Sequence, residues 1–200
     1  MNRLVYNFKD GNKNMKSLLG GKGANLAEMV NIGLNVPAGF TITTEACIEY
    51  YEKNKEIWTE LAEEIKQNLE ILEKETGKTF GEGETPLLVS VRSGSVFSMP
   101  GMMDTILNLG LNDITVETLA RNTSNERFVY DSYRRFIQMF ADVAMGISKS
   151  NFESALEKMK EEKGVENDVD LGTDDLKNLV LKYKEIYIRE NGSEFPQNPE

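Results

Sequence analysis

LLVSVRSGSVFSMPGMMDTILNLG, residues 87–110, decides how the chain is read. LLVSVR (87–92) is strand-like and has a buried look, and TILNLGL (105–111) reads as a second strand. Between them Pro100-Gly101 marks a tight turn, because proline fixes φ and glycine permits φ > 0. Met102-Met103 beside such a turn is either core filler or a cover over something. As a cover, its backbone N–H groups and the Thr105 hydroxyl would wrap phosphates while the methionines exclude water. Asp104 is either a turn-former or the orienter of a nearby cation. Arg92 ends the first strand, which gives its planar fork a rigid base suited to a phosphoryl group, with Ser93 adding weak donor capacity. A surface ion pair would explain a lone arginine equally well.

Upstream, strand and helix signals alternate. LVYNF (4–8) reads as a strand and DGN (10–12) as a turn. GGKGANLAEMVNIGLNVP sets glycines before a helix with an apolar stripe of Leu26, Met29 and Val30, Gly33 at its end and Pro37 beyond. GFTITT (39–44) is a strand running into a short helix with Cys47, Ile48 and Tyr51. A longer helix follows, with Ile57, Leu61, Ile65, Leu69 and Leu72 at spacings of three and four, closed by Gly77.

Gly20-Gly21-Lys22-Gly23 is the second motif able to carry chemistry. Glycines let a backbone approach a phosphate, helix N–H groups point at it, and a lysine adds mobile charge. It is not a P-loop, since Lys16 occupies the first glycine position and no Ser or Thr follows Lys22. It is not the dinucleotide fingerprint, since Leu26 occupies the place of the third glycine. A flexible loop before a helix is the alternative reading.

After residue 112 the pattern is helical throughout. Val129, Tyr133, Phe136, Ile137, Phe140 and Ala144 form a wide stripe ending at Gly146. Ser150-Asn-Phe-Glu153 reads as a capping box opening a helix with Phe152, Leu156 and Met159. Thr173-Asp-Asp opens a last helix with Leu176, Leu179, Val180, Tyr183 and Ile186, stopped by Gly192. The acidic stretch 161–175 reads as a solvated turn rather than a metal site. SEFPQNPE (193–200) trails off without a closing element, as if cut.

Composition narrows the chemistry. Net charge is −10 over 200 residues, which argues against a nucleic-acid binder but leaves room for a small anion held by local cations and N–H groups. One cysteine suits a reducing compartment, and no run suits a signal peptide or a membrane span, so the cytoplasm is the default. Histidine is absent. There is therefore no imidazole base, no phosphohistidine and no histidine metal ligand in these residues; lysine, arginine, carboxylates and backbone dipoles must do any chemistry.

Taken in order, GGKGANLAEMVNIGLNVPAGFTITTEAC, VSVRSGSVFSMPGMMDTILNLGLN and FPQNP resemble the pyruvate, phosphate dikinase family along the whole chain. The related phosphoenolpyruvate synthases share the glycine-lysine opening and the VRS strand but differ at SMPGMMDTILNLG. The resemblance implies an α+β fold: a partial ATP-grasp-like lobe (mixed sheet with helices, 1–111) and a helical subdomain with a tail (112–200). It implies conversion of ATP, phosphate and pyruvate to AMP, pyrophosphate and phosphoenolpyruvate, with a phosphohistidine on a swivelling domain. Lys22 and Arg92 would act catalytically on ATP phosphates. Gly20, Gly21, Ser93, Gly101, Met103, Asp104 and Thr105 would complete the phosphate site. Mg2+ would come with ATP and be held mostly by residues outside these. The further partners implied are the second nucleotide lobe, the phosphohistidine domain and the pyruvate/phosphoenolpyruvate domain, in a full-length homodimer, with no nucleic acid or membrane. Lacking histidine and the second lobe, these residues are expected not to turn over alone. A non-catalytic phosphate-binding module, or a synthase-like dikinase acting on another acceptor such as water or a glucan, are the alternative readings.

Overall fold

The computed structural model describes residues 3–94 and 104–199. Its elements fall into two compact units: residues 1–77 with 92–104, and residues 78–91 with 105–200.

In the first unit β1 (Val5–Asn7) is followed by α1 (Lys16–Asn31), β2 (Phe40–Ile42), α2 (Thr44–Glu52) and α3 (Thr59–Thr76). β1 and β2 pair antiparallel, with Val5 opposite Ile42 and Asn7 opposite Phe40. The pair is covered on both faces. Val5, Ala46 and Leu61 are buried together, with Phe40, Trp58 and Ile65 packed against them, which places α3 on one face. Thr41 faces the other way, onto α1, where a Cβ added at Gly23 would lie 2.8 Å from its Cγ2. α3 ends at Gly77 in the left-handed conformation (φ 65°), as its sequence position requires.

α1 corrects the expected stripe. Its buried residues are Leu19, Gly20, Gly23, Ala24 and Ala27, whereas Leu26 and Val30 are half-buried and Met29 is exposed. The helix packs through small residues because it lies so close to β2 and to the Gly11 turn, whose added Cβ would meet Leu19 and Ala27.

The second unit holds β3 (Thr79–Phe80), β4 (Pro86–Leu87), β5 (Val89–Arg92), β6 (Thr105–Leu109), α4 (Asp113–Thr123), α5 (Glu126–Val143), α6 (Ser150–Lys163) and α7 (Thr173–Asn191), Arg92 itself being counted with the first. β3 and β4 pair parallel, and β5 pairs with β6. LLVSVR is therefore two strands divided at Leu88, and of its residues 89–92 only Val89 is half-buried while the rest are exposed. β5 has β6 as its one strand neighbour among the described residues, and beyond Val89 its residues stay exposed.

The helices carry the larger core. Tyr133, Ile137, Phe152, Leu176, Leu179 and Tyr183 are essentially inaccessible, so the expected stripes of α5, α6 and α7 do face inward, except that Ala141 is buried where Ala144 is exposed. α6 has no capping box: Lys149 is its N-cap without a side-chain bond, and the Ser150 N–H donates to Ser148 Oγ at 3.4 Å. The acidic turn at 168–170 is pinned rather than merely solvated. Buried Arg134 donates to Asp131 Oδ1 and to Asp168 Oδ2, each at 2.8 Å, and Arg127 donates to the carbonyls of Leu171 and Asp168 at the same distance. Burial pushes the Asp168 carboxyl up, but Arg134 and Lys160 outweigh it and hold it below the usual range.

The tail also differs from expectation. Phe195 is 4% exposed, ringed by Tyr133, Phe136, Phe140 and Tyr187 at centroid separations of 5.3–6.4 Å. Asn112 Nδ2 donates to the carbonyls of Gly81 (2.7 Å) and Gln197 (3.0 Å), while Asn112 Oδ1 caps α4 by accepting from Thr115 N. The segment has no regular structure of its own, yet one aromatic anchor and one asparagine fix it.

Candidate functional site

Gly20 interrupts α1 with φ 68° and ψ 171°, a region open only to glycine. The interruption restarts the helix at Gly21, so the first N–H groups of the new segment are without helical acceptors at that point. Lys22 lies in its first turn and is half-buried. Gly20 is buried and Gly21 half-buried, so the backbone here is held by packing.

The four residues of the glycine-lysine motif thus have separate duties. Gly20 supplies a conformation and Gly23 supplies clearance, its added Cβ meeting Thr41 Oγ1 at 2.9 Å and Leu19 Cβ at 3.2 Å. Gly21 and Lys22 have neither of these duties and are half-buried. Sequence reading treated the glycines alike; a glycine inside a helix is the signal that could have separated them.

Arg92 and Ser93 sit at the end of β5, Asp104 and Thr105 at the start of β6. The Ser93 N–H donates to the Asp104 carbonyl at 3.1 Å and the Ser93 hydroxyl approaches the same oxygen at 3.4 Å. Ser93 is therefore engaged by the start of β6 rather than directed wholly outward. Arg92 and Asp104 are exposed and Thr105 half-buried. Gly101 and Met103 lie outside the described residues.

The candidates therefore form two groups: Gly20, Gly21 and Lys22 at the restart of α1, and Arg92, Ser93, Asp104 and Thr105 where β5 and β6 meet. Neither Lys22 nor Arg92 has a carboxylate partner among the described residues, unlike Lys9, Lys13, Lys160 or Lys184, which are all paired. A cation kept for a phosphate should be unpaired, though Lys66 and Lys78 share that property. Among the described residues no group of three or more His, Cys, Asp or Glu side chains is placed to hold a metal ion. No helix among them is long and apolar enough to cross a membrane.

The family described as pyruvate phosphate dikinase, AMP/ATP-binding domain, matches residues 16–71, which include the glycine-lysine motif, β2, α2 and most of α3. Pyruvate, phosphate dikinase of Clostridium symbiosum is 58% identical over 200 residues, all of this chain and 23% of that protein. The chloroplastic pyruvate, phosphate dikinase 1 of Arabidopsis thaliana is 57% identical over 190 residues, 95% of this chain and 20% of the relative. The chloroplastic enzyme of Zea mays is 55% identical over 199 residues, covering 98% and 21%. The chain spans about a fifth of the length of these relatives. Residues 1–200 thus correspond, over their whole length, to an N-terminal part of the pyruvate, phosphate dikinases that includes their AMP/ATP-binding domain match.

Proposed function

We propose that these residues hold the phosphate chain of ATP in a pyruvate, phosphate dikinase that converts ATP, phosphate and pyruvate to AMP, pyrophosphate and phosphoenolpyruvate. The observation that carries the reading is the interruption of α1 at Gly20, with Lys22, which has no carboxylate partner among the described residues, in the first turn after it. Helix N–H groups and a cation meet there at a backbone conformation that packing fixes in advance. Such preorganisation favours phosphoryl transfer, where charge spreads over phosphate oxygens and the protein's task is positioning and electrostatic stabilisation.

In this reading Lys22 is a mobile point charge and Arg92 a planar fork on a strand end, both neutralising phosphate oxygens as charge redistributes. Ser93 holds the neck of the turn, and Gly101, Met103, Asp104 and Thr105 cover the phosphates. The carrier histidine belongs to another domain, since these residues contain none. The same reading brings an ATP-grasp cleft completed by a second lobe, Mg2+ arriving with ATP, a cytoplasmic homodimer, and a division at residues 111 and 112 between nucleotide lobe and helical subdomain.

The test is the partial reaction. In the full-length enzyme Arg92→Ala and Lys22→Ala should each slow the ATP half-reaction by roughly a hundred- to a thousandfold, leaving the pyruvate half-reaction near its normal rate. Equal loss in both half-reactions refutes the placement. Calorimetric titration of residues 1–200 with a non-hydrolysable ATP analogue, for wild type and both variants, asks separately whether this part binds phosphate alone.

A further inference from the structure

The β1–β2 sheet has two unlike edges. The Leu4 carbonyl, Tyr6 and the Phe8 N–H face β2: Thr43 N donates to Leu4 O at 2.9 Å and Phe8 N to Gly39 O at 3.0 Å. Val5 and Asn7 therefore point outward from β1, and there the chain supplies its own partners. Glu64 Oε2 on α3 accepts from Leu4 N at 2.8 Å and Val5 N at 2.9 Å, and Arg3 Nε donates to Val5 O at 2.7 Å. On that edge the N–H and C=O of Val5 are both bonded by side chains.

By the same alternation Phe40 and Ile42 turn their N–H and C=O groups away from β1. Among the described residues nothing bonds them, and Ile42 is 44% exposed although its opposite number, Val5, is fully buried. Yet α3 and α1 cover both faces of this pair. Two strands alone are marginal, and sheets covered on both faces are normally wider than two strands. An edge whose peptide groups have no partner among the described residues, beside a strand that α1 covers on one face, is a template for another strand.

We infer that the outer edge of β2 receives a β-strand from the remainder of the longer polypeptide. The strand bonds the peptide groups of Phe40 and Ile42 and sets aliphatic side chains beside them under α3. The length available supports that occupant over a second copy of these residues: relatives carry about four-fifths of their chain outside this stretch, and an intramolecular strand needs no second molecule. The inference rests on reading these residues as part of such a longer dikinase.

Amide hydrogen exchange tests it, on residues 1–200 and on the full-length protein, each at two protein concentrations. In residues 1–200 the Phe40 and Ile42 amides should exchange fast while Thr41, bonded to β1, is protected. In the full-length protein both should slow by roughly a hundredfold or more, at either concentration. Equally fast exchange in both proteins overturns the inference. Protection in residues 1–200 that grows with concentration assigns the edge to a second copy and overturns it as well. The full-length sample is assayed for its ATP half-reaction in parallel, so that a failed functional reading and a failed strand assignment are told apart.

Discussion

Replacing Gly23 with alanine pits two opposed effects against each other at one atom. Alanine in place of a helical glycine gains up to about 1 kcal/mol through backbone entropy. The new Cβ, however, would lie 2.8 Å and 2.9 Å from Thr41 Cγ2 and Oγ1 and 3.2 Å from Leu19 Cβ. Thr41 is β-branched and held in a paired strand, so it has little freedom to retreat. Overpacking of this kind costs about 1–3 kcal/mol, which leaves Gly23→Ala destabilising by up to about 2 kcal/mol. Thr41→Ala removes the two nearest obstacles, so the double variant should recover most of that loss, a coupling of about 1 kcal/mol or more between contacting residues. Urea denaturation followed by tryptophan fluorescence is the assay. Trp58, the single tryptophan, packs against the Val5, Ala46 and Leu61 cluster and so reports on this unit alone. A Gly23→Ala variant more stable than wild type, or additive behaviour in the cycle, would show that α1 and β2 are not in the contact described.

Three further outcomes are expected. Gly20→Ala, at φ 68° and ψ 171°, should cost about 1–3 kcal/mol in the same assay; no change would mean the helix runs through uninterrupted. Phe195→Ala should cost about 3–5 kcal/mol and lower the thermal midpoint of the helical unit measured by circular dichroism, whereas a loss under about 1 kcal/mol would deny the aromatic cage. Asp168 has a depressed carboxyl pKa in the folded state, so its contribution is present above the ordinary aspartate value and is lost as pH falls through the depressed one. Asp168→Asn should therefore flatten the acid limb of stability below about pH 4, and an unchanged limb in urea midpoints between neutral and acid pH would refute this.

Helices α3, α5 and α7 were legible because their buried residues recur at helical spacing and α3 and α7 end in capping glycines, Gly77 and Gly192, although Ile57, expected in the α3 stripe, lies before that helix and is exposed. α1 was legible as a helix but not as a surface. It packs by close approach, so Gly23, Ala24 and Ala27 go inside while Met29 stays exposed, and hydrophobic periodicity is blind to clearance. LLVSVR looked buried because a run of apolar residues does not say how many neighbours a strand has. FPQNP has no periodicity at all; Phe195 is fixed by aromatic rings from α5 and α7, a purely tertiary cause. Of the candidate site, the two cationic positions could be located from local residue types. The separate duties of Gly20 and Gly23 could not, because they depend on where Thr41 lies.

Asn112 has a mechanical consequence. Its single amide ties together the Gly81 turn, the first turn of α4 and the tail at Gln197, while the Gly81 turn also lies against Pro199. Tension applied to the chain before residue 81 and beyond residue 199 would therefore load these bonds before it loaded the packing of α5, α6 and α7. One asparagine thus makes the Gly81 turn and the tail a shared clasp at the start of α4, so that freeing either segment begins with the same side chain.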